Sequence, residues 1–167
     1  MRRKSVGERA SKQEIERKFL TCSDAWRNEE NRVLIRQGYL RADPLGSIRV
    51  RLVDDHAVLT LKGPCSGIRR AEIEYPIART DAELLLDQLL VGRMVEKWRT
   101  RISHAGHIWE VDEFLGENEG LVVAEIELNE EEEPFEMPLW AGSEVTQDPR
   151  FLNASLALHP YSEWNPS

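Results

Sequence analysis

The chain has 167 residues, of which 41% are hydrophobic and 31% are charged, and its formal net charge is −8. This length suits one domain, and the acidic balance argues against nonspecific binding of nucleic acid. Cys22 and Cys65 are too few and too isolated for a disulfide framework or a zinc site, so we expect reduced thiols in a cytoplasmic protein. No apolar run approaches the roughly 18 residues that a membrane span needs.

The domain organisation is simple, because the sequence has neither an internal repeat nor a linker that would divide it. Residues 1–12 are basic and polar and lack the apolar stretch of a secretory signal. We therefore expect a disordered N-terminal lead-in over residues 1–12, one folded domain over 13–160 and a C-terminal tail over 161–167.

Eight segments are predicted to form β-strands because polar and apolar residues alternate along them. They span residues 13–20, 33–41, 46–53, 57–63, 68–77, 93–103, 107–114 and 121–128. Most connections are short and contain Gly, Pro or Asp, which favours antiparallel hairpins. A chain that is mainly β with a few helices is predicted to belong to the α+β class, built around one antiparallel sheet.

Helices are predicted in three places. Residues 23–31 favour a short one, and a leucine-rich segment capped by Thr80 and ended by Gly92 favours a second. Pro149 is suited to the first turn of a third helix near the C-terminus. The acidic run over residues 129–138 is predicted to be a solvated loop.

The alternation collects charged side chains on one face of the strands. In the first strand Glu14, Glu16 and Lys18 share one face, and Ile15 and Phe19 share the other. The bases on the charged face are Lys18, Arg49, Arg51, Lys62, Arg70, Lys97, Arg99 and Arg101. The acids on it are Glu14, Glu16, Glu72, Glu74, Glu110, Asp112, Glu125 and Glu127.

Two arrangements explain such a face. A sheet with one side in water also shows alternating charge. Here, however, the face is mostly Arg and Glu, and charges of the same sign are paired within strands. Eight meandering strands also close into a barrel, which removes both sheet edges. We therefore predict a closed eight-stranded antiparallel β-barrel with a charged interior and with helices packed outside.

A charged interior needs a ligand, because burying many charges is costly unless each is paired or bound. Arginine suits bidentate contact with phosphate. Carboxylates at positions i and i+2 lie ~7 Å apart on one face of a strand, a useful separation for holding hard divalent cations. The residues alone thus predict a polar tunnel for a metal-complexed polyphosphate.

The arrangement resembles the CYTH superfamily, the triphosphate tunnel metalloenzymes. Residues 14–18 match its Glu-x-Glu-x-Lys signature at the start of the first strand. Further matching segments follow in order at residues 48–51, 59–62, 70–74, 96–99, 109–112 and 124–128. Residues 142–153 resemble the C-terminal stretch of the family, so the resemblance extends from about residue 13 to residue 158.

The resemblance implies roles for individual residues. The implied metal ligands, for Mg²⁺ or Mn²⁺, are Glu14, Glu16, Asp112, Glu125 and Glu127, with Glu72 or Glu74 in support. The implied triphosphate contacts are Lys18, Arg49, Arg51, Lys62, Arg70 and Arg99. Residues 36–40 and 96–99 are most similar to small bacterial members that hydrolyse inorganic tripolyphosphate. In such enzymes Lys97 would be the base for the attacking water, and Tyr39 would help to shape the active site.

Several alternatives remain open from the residues. Asp112 also suits the structural partner of an arginine, and Tyr39 also suits a core tyrosine with a hydrogen-bonded tip. A thiamine triphosphatase or a CYTH-type adenylate cyclase would need a pocket for an organic group at the tunnel mouth. A noncatalytic binder of polyphosphate or nucleotide would need the bases more than the acids. We expect a small-molecule triphosphate partner, no nucleic acid and no membrane, and the resemblance makes a homodimer plausible.

Overall fold

The computed structural model describes residues 12–27 and 31–164. The strands are β1 (Lys12–Thr21), β2 (Arg32–Asp43), β3 (Gly46–Val53), β4 (His56–Lys62), β5 (Arg69–Ile77), β6 (Val91–His104), β7 (His107–Phe114), β8 (Val122–Glu127) and β9 (Ala141–Glu144). The α-helices are α1 (Arg79–Leu89) and α2 (Asn153–Leu158). No helix in this described part of the chain is long and apolar enough to cross a membrane.

The first eight strands close into an antiparallel barrel, which confirms the predicted α+β class and tunnel architecture. Their order around the barrel is β5-β4-β3-β2-β6-β7-β8-β1, and a pairing between β1 and β5 completes the ring. That closure is short, because β5 meets only residues 12–15 of β1. Beyond them β9 takes over the same edge, with Phe19 opposite Glu144. The unpredicted strand β9 therefore covers a part of β1 that the barrel leaves open.

The apolar faces of the strands point outward, as predicted, and two of three hydrophobic clusters cover them. One cluster surrounds Trp109, which is fully buried on β7. A second cluster joins Tyr39 and Val95 to Leu156 on α2, and a third lies beneath α1. The first and third clusters lie outside the ring. The second lies on the inward face, because Val95 shares a face with Lys97 and Val123 shares one with Glu125, so it fills one end of the barrel and the charged residues line the rest.

The helices differ in detail from the prediction. Residues 22–27 form bends and a turn rather than a helix, and residues 28–30 lie outside the described part of the chain. The reason is that Trp26 is the only large apolar side chain over 23–31, and it is buried with only a turn formed around it. The predicted Thr80 cap is also wrong: α1 begins at Arg79, and Ala78 precedes it without a side-chain cap.

The C-terminal region is built from short turns. The predicted helix at Pro149 is split into a 3₁₀ turn over Pro149–Phe151, which Asp148 caps, and the separate helix α2. Residues 129–138 form no helix or strand, as predicted, although Phe135 packs its ring on Trp109. The lead-in predicted over residues 1–12 lies outside the described residues except for Lys12, which begins β1.

Gly92 fixes how closely α2 approaches the barrel. It has a φ of +74° at the start of β6, a conformation that L side chains rarely adopt. A Cβ atom at this position would lie 2.4 Å from the carbonyl oxygen of Ala157 on α2. Because that oxygen belongs to the backbone, no side-chain movement relieves the contact.

We predict that Gly92→Ala lowers the free energy of unfolding by about 3 kcal/mol or more, through backbone strain together with the clash. Gly106→Ala is the matched control, because Gly106 has a φ of +84° but nothing within 4 Å of an added Cβ. The control isolates the conformational cost of roughly 1–2 kcal/mol. Urea unfolding of both variants measures the difference, and equal losses would show that the approach to Ala157 has no energetic effect.

Candidate functional site

The barrel encloses a charged cavity, the lumen, of about 230 Å³. Ligand pockets for drug-sized molecules usually have volumes of ~300–1,000 Å³, so the lumen suits a smaller ligand. The basic residues that line it are Lys18, Arg49, Arg51, Lys62, Arg70, Arg99 and Arg101. The acidic residues that line it are Glu14, Glu16, Glu72, Glu74, Glu110, Glu125 and Glu127. The structure thus brings together every predicted substrate contact and all the predicted metal ligands except Asp112.

The charges are separated between two walls. On one side, β3 and β4 carry Arg49, Arg51 and Lys62 and contribute no acid to the lumen. Strands β7 and β8, on the far side of the ring, carry Glu110, Glu125 and Glu127 and contribute no base. We call these the basic wall and the acidic wall. A ligand that carries both an anion and a cation would match this separation.

The basic wall contains a buried hydrogen-bond donor that has no acceptor among the described residues. Arg49 is 7% exposed, and its buried Nε has no hydrogen-bond partner among the described residues. Arg51 donates from Nε to Oε1 of Gln37 at 3.1 Å rather than to a carboxylate. Burial, reinforced by Arg49 and Arg99, lowers the pKa of Arg51 to about 10. An unsatisfied buried donor costs about 1–3 kcal/mol, so this wall is prepared for an anion.

The acidic wall, which Glu16 on the neighbouring strand β1 extends, places like charges next to one another. In the strand register Glu16 lies opposite Glu127, and Glu110 lies opposite Glu125. Like charges directly opposite in a sheet are destabilising. The ammonium group of Lys18 donates to both Glu16 and Glu125, and Arg99 donates to Glu110 and Glu125. Burial alone would lower the pKa of Lys18, but Glu125 and Glu16 raise it above its usual range.

The acidic wall has the right chemistry for a hard divalent cation, whose preferred ligands are carboxylate oxygens. Within residues 12–27 and 31–164, no three acidic, histidine or cysteine side chains already form a group that could hold a metal ion. The carboxylates of Glu16 and Glu125 are instead turned toward Lys18. The residues fit a cation by their donor atoms and by the unfavourable proximity of their charges.

Glu14 belongs to a different group from Glu16. Both of its carboxylate oxygens accept from Nζ of Lys62 at 2.7 Å, and one also accepts from Nε of Arg70 at 2.8 Å. Burial alone would raise the pKa of Glu14, but Lys62 and Arg70 outweigh that effect and lower it to about 2. The structure therefore ties this predicted metal ligand to two predicted phosphate contacts.

Lys97 and Asp112 lie on the inward face of β6 and β7, beneath the side chains that line the lumen. Both side chains are fully buried, and neither lines the cavity. Asp112 accepts from Nε and Nη2 of Arg99 at 2.6 and 2.7 Å and also from Lys97. These contacts with Arg99 are those expected if Asp112 is the structural partner of an arginine. Burial lowers the pKa of Lys97 to about 8, with Asp112 opposing the shift and Arg99 adding to it.

Gln37, which is fully buried on β2, was not among the predicted site residues. Arginine nitrogens only donate, so the atom facing Arg51 must be the amide oxygen of Gln37. Its Nε2 then donates to the hydroxyl of Tyr39 at 3.3 Å. The Tyr39 hydroxyl, whose pKa burial raises, thus accepts from Gln37 and keeps its own proton to donate. The spacing of two residues between Gln37 and lumen-lining Tyr39 could have indicated this pair.

The lowered pKa of Lys97 predicts a pH dependence of stability. Between pH 8 and about 10 the unfolded chain binds more protons at this lysine than the folded chain does. The unfolding free energy should therefore rise with pH in that window, by on the order of 2 kcal/mol. Lys97→Met should remove this rise, because Asp112 keeps its contacts with Arg99. Urea unfolding of both proteins from pH 7 to 10 tests this, and identical pH slopes would contradict it.

Comparison with known proteins places this site in a family. The family model described as the CYTH domain matches residues 12–161. An inorganic triphosphatase of Acetivibrio thermocellus is 48% identical over 151 residues, which cover 90% of this chain and 97% of that protein. An inorganic triphosphatase of Nitrosomonas europaea is 40% identical over 152 residues, which cover 87% of this chain and 97% of that protein.

Solved structures share the fold. The crystal structure of the inorganic triphosphatase NE1496 superimposes with a TM-score of 0.63 at 36% identity, covering 87% of this chain and 94% of that one. A putative adenylate cyclase from Bacillus halodurans superimposes with a TM-score of 0.58 at 19% identity, covering 72% of this chain and 83% of that one. At that identity the second likeness concerns the fold alone.

Proposed function

Because the chain belongs to the CYTH domain family, we propose that it hydrolyses the terminal phosphate of inorganic tripolyphosphate bound in the lumen. The observation that carries this proposal is the basic wall. The buried Nε of Arg49 has no hydrogen-bond partner among the described residues, and Arg51 donates to the amide of Gln37, while Nη2 of Arg49 lies 3.6 Å from Glu74. The names of the two triphosphatase relatives support the reaction class.

The substrate would lie along the basic wall. Arg49 and Arg51 would bind phosphate oxygens through guanidinium N–H groups, which suit bidentate contact. Lys62 and Arg70, which Glu14 holds in place, would add charge on the same side. These bases would stabilise negative charge on the nonbridging and leaving oxygens.

The lining favours an inorganic substrate over a nucleotide or thiamine triphosphate. Apart from Tyr39, Leu152 and Ala154, every residue that lines the lumen is polar or charged. A nucleobase would need an aromatic or apolar surface to stack on, and the volume of about 230 Å³ leaves little room for one. A linear chain of phosphates needs only donors.

The family implies a divalent metal, and we propose Mg²⁺ or Mn²⁺ held by Glu16, Glu125 and Glu127 on β1 and β8, with Glu110 beside them. When bound, the cation would neutralise charge on the phosphate oxygens and act as a Lewis acid. We assign Glu14 to the support of Lys62 and Arg70, and Asp112 to the support of Arg99.

The predicted catalytic residues differ in their access to the lumen. Tyr39 lines the lumen, and its hydroxyl proton is available for a phosphate oxygen. Lys97 has the lowered pKa expected of a base, but its ammonium group is buried beneath the lumen lining, where it contacts Asp112 and Asn153. We propose that Lys97 acts on the reaction through the residues it contacts.

We predict that the purified protein releases phosphate from tripolyphosphate when Mg²⁺ or Mn²⁺ is present, and that Arg51→Met lowers kcat/KM. A hydrogen bond to a charged group contributes roughly 1.5–3 kcal/mol, so the expected loss is about 10- to 100-fold. Arg41→Met is the matched control, because Arg41 is exposed on β2 and pairs with Asp43 outside the lumen. A colorimetric phosphate assay with tripolyphosphate, ATP and thiamine triphosphate makes the comparison.

Pyrophosphate detection and a measurement of tripolyphosphate binding, made beside the phosphate assay, identify the alternatives. Pyrophosphate formation from ATP without phosphate release would indicate a cyclase. Tight binding of tripolyphosphate without turnover of any substrate would indicate a noncatalytic binding protein. An equal effect of Arg51→Met and Arg41→Met would remove the basic wall from the proposal.

Metal dependence should respond to the acidic wall. Glu16→Gln should raise the Mg²⁺ or Mn²⁺ concentration required for half-maximal activity by about tenfold, because a carboxylate ligand is lost. The fold should persist, since Lys18 keeps its contact with Glu125. Glu144→Gln is the control, because Glu144 pairs with Arg17 outside the barrel. Metal titrations at saturating tripolyphosphate measure the shift, and the same midpoint for both variants would contradict the assignment.

A further inference from the structure

Asn153 closes one part of the lumen where α2 meets the barrel. It is the first residue of α2, and it lines the cavity together with its neighbours Leu152 and Ala154. Its Oδ1 accepts a hydrogen bond from Nζ of Lys97 at 3.1 Å. The alternating pattern of the strands did not mark this residue, although it ends the segment 142–153 that resembles the C-terminal stretch of the family.

The contact with Lys97 fixes the orientation of the Asn153 amide. A lysine ammonium group has three donors and no acceptor, so the amide atom facing it must be the oxygen. Lys97 itself is held rigidly, since it is fully buried and also donates to Asp112. The amide of Asn153 therefore cannot flip without losing a buried charge-assisted hydrogen bond.

This orientation leaves the amide NH₂ group for the lumen. The NH₂ group makes no hydrogen bond to another residue in the described part of the chain, although Asn153 lines the cavity. The hydroxyl of Tyr39 is a second uncharged donor on the same side, because Tyr39 and α2 pack in one apolar cluster. Both groups offer a proton to an anion without adding net charge.

We propose that Asn153 is a substrate-binding residue, whose Nδ2–H donates to a phosphate oxygen of the bound triphosphate while Lys97 positions the amide. This inference rests on the proposed function, since it names a further contact in the same site. It also gives Lys97 a role that fits its position, because a fully buried ammonium group reaches the substrate through Asn153.

Two substitutions separate binding from a merely structural role. Asn153→Ala removes both the acceptor for Lys97 and the donors for the substrate. Asn153→Asp keeps an acceptor for Lys97, removes the donors and adds a negative charge. Ser155→Ala is the control, because Ser155 lies on the same helix but does not line the lumen.

The proposal expects both Asn153 variants to bind tripolyphosphate about tenfold or more weakly in metal-free isothermal titration calorimetry. It expects kcat/KM to fall by a similar factor in the presence of Mg²⁺, and Ser155→Ala to match wild type in both measurements. Thermal unfolding of Asn153→Asp should stay at or above the wild-type midpoint, because the carboxylate still pairs with Lys97.

Other patterns would overturn the inference. If only Asn153→Ala lost binding, the residue would serve to dock α2, since the acceptor alone would suffice. If only Asn153→Asp lost binding, the loss would come from the added charge. Phosphate release by wild type with full activity in both variants would reject this inference alone, whereas no release by wild type would reject the proposed function.

Discussion

The interior of a closed barrel must balance its charges, and this constraint organises the whole molecule. Buried charges are tolerated only when they are paired and hydrogen-bonded. Most of the lumen obeys this rule internally: Glu14 binds Lys62 and Arg70, and Arg99 binds Asp112. What the protein leaves unbalanced is then informative. The buried Nε of Arg49 has no acceptor among the described residues, and Glu110 lies opposite Glu125 even though Arg99 contacts both.

Strand β1 is where the two walls meet, and its register divides the Glu-x-Glu-x-Lys motif between them. Glu14 lies opposite Arg70 on β5, whereas Glu16 lies opposite Glu127 on β8. Although the two carboxylates share one face, their neighbours give them opposite surroundings. One glutamate holds the bases of the anion site, and the other joins the carboxylates that suit a cation. A metal-complexed phosphate chain would therefore lie across β1.

The alternation of the sequence was enough to predict the eight strands, the closure and the charged interior, because a period of two fixes which face each side chain takes. It could not predict how far along the barrel interior each inward-facing side chain lies, and so which of them reach the lumen. Lys97 and Arg99 share a face, yet only Arg99 lines the lumen. Nor could local pattern predict β9, which pairs with β1 only where β5 has left its edge. Such features depend on contacts between residues far apart in sequence.

Gln37 and Asn153 escaped prediction for a related reason, and they show how the barrel supplies uncharged donors. Each amide faces a cation that only donates, Arg51 or Lys97, so its oxygen is turned toward that cation. The amide nitrogen is then directed elsewhere, toward Tyr39 in one case and toward the lumen in the other. A further arginine at either position would draw carboxylates out of the acidic wall. A neutral donor oriented by a cation provides positive potential without competing for those acids, so both halves of the site are preserved.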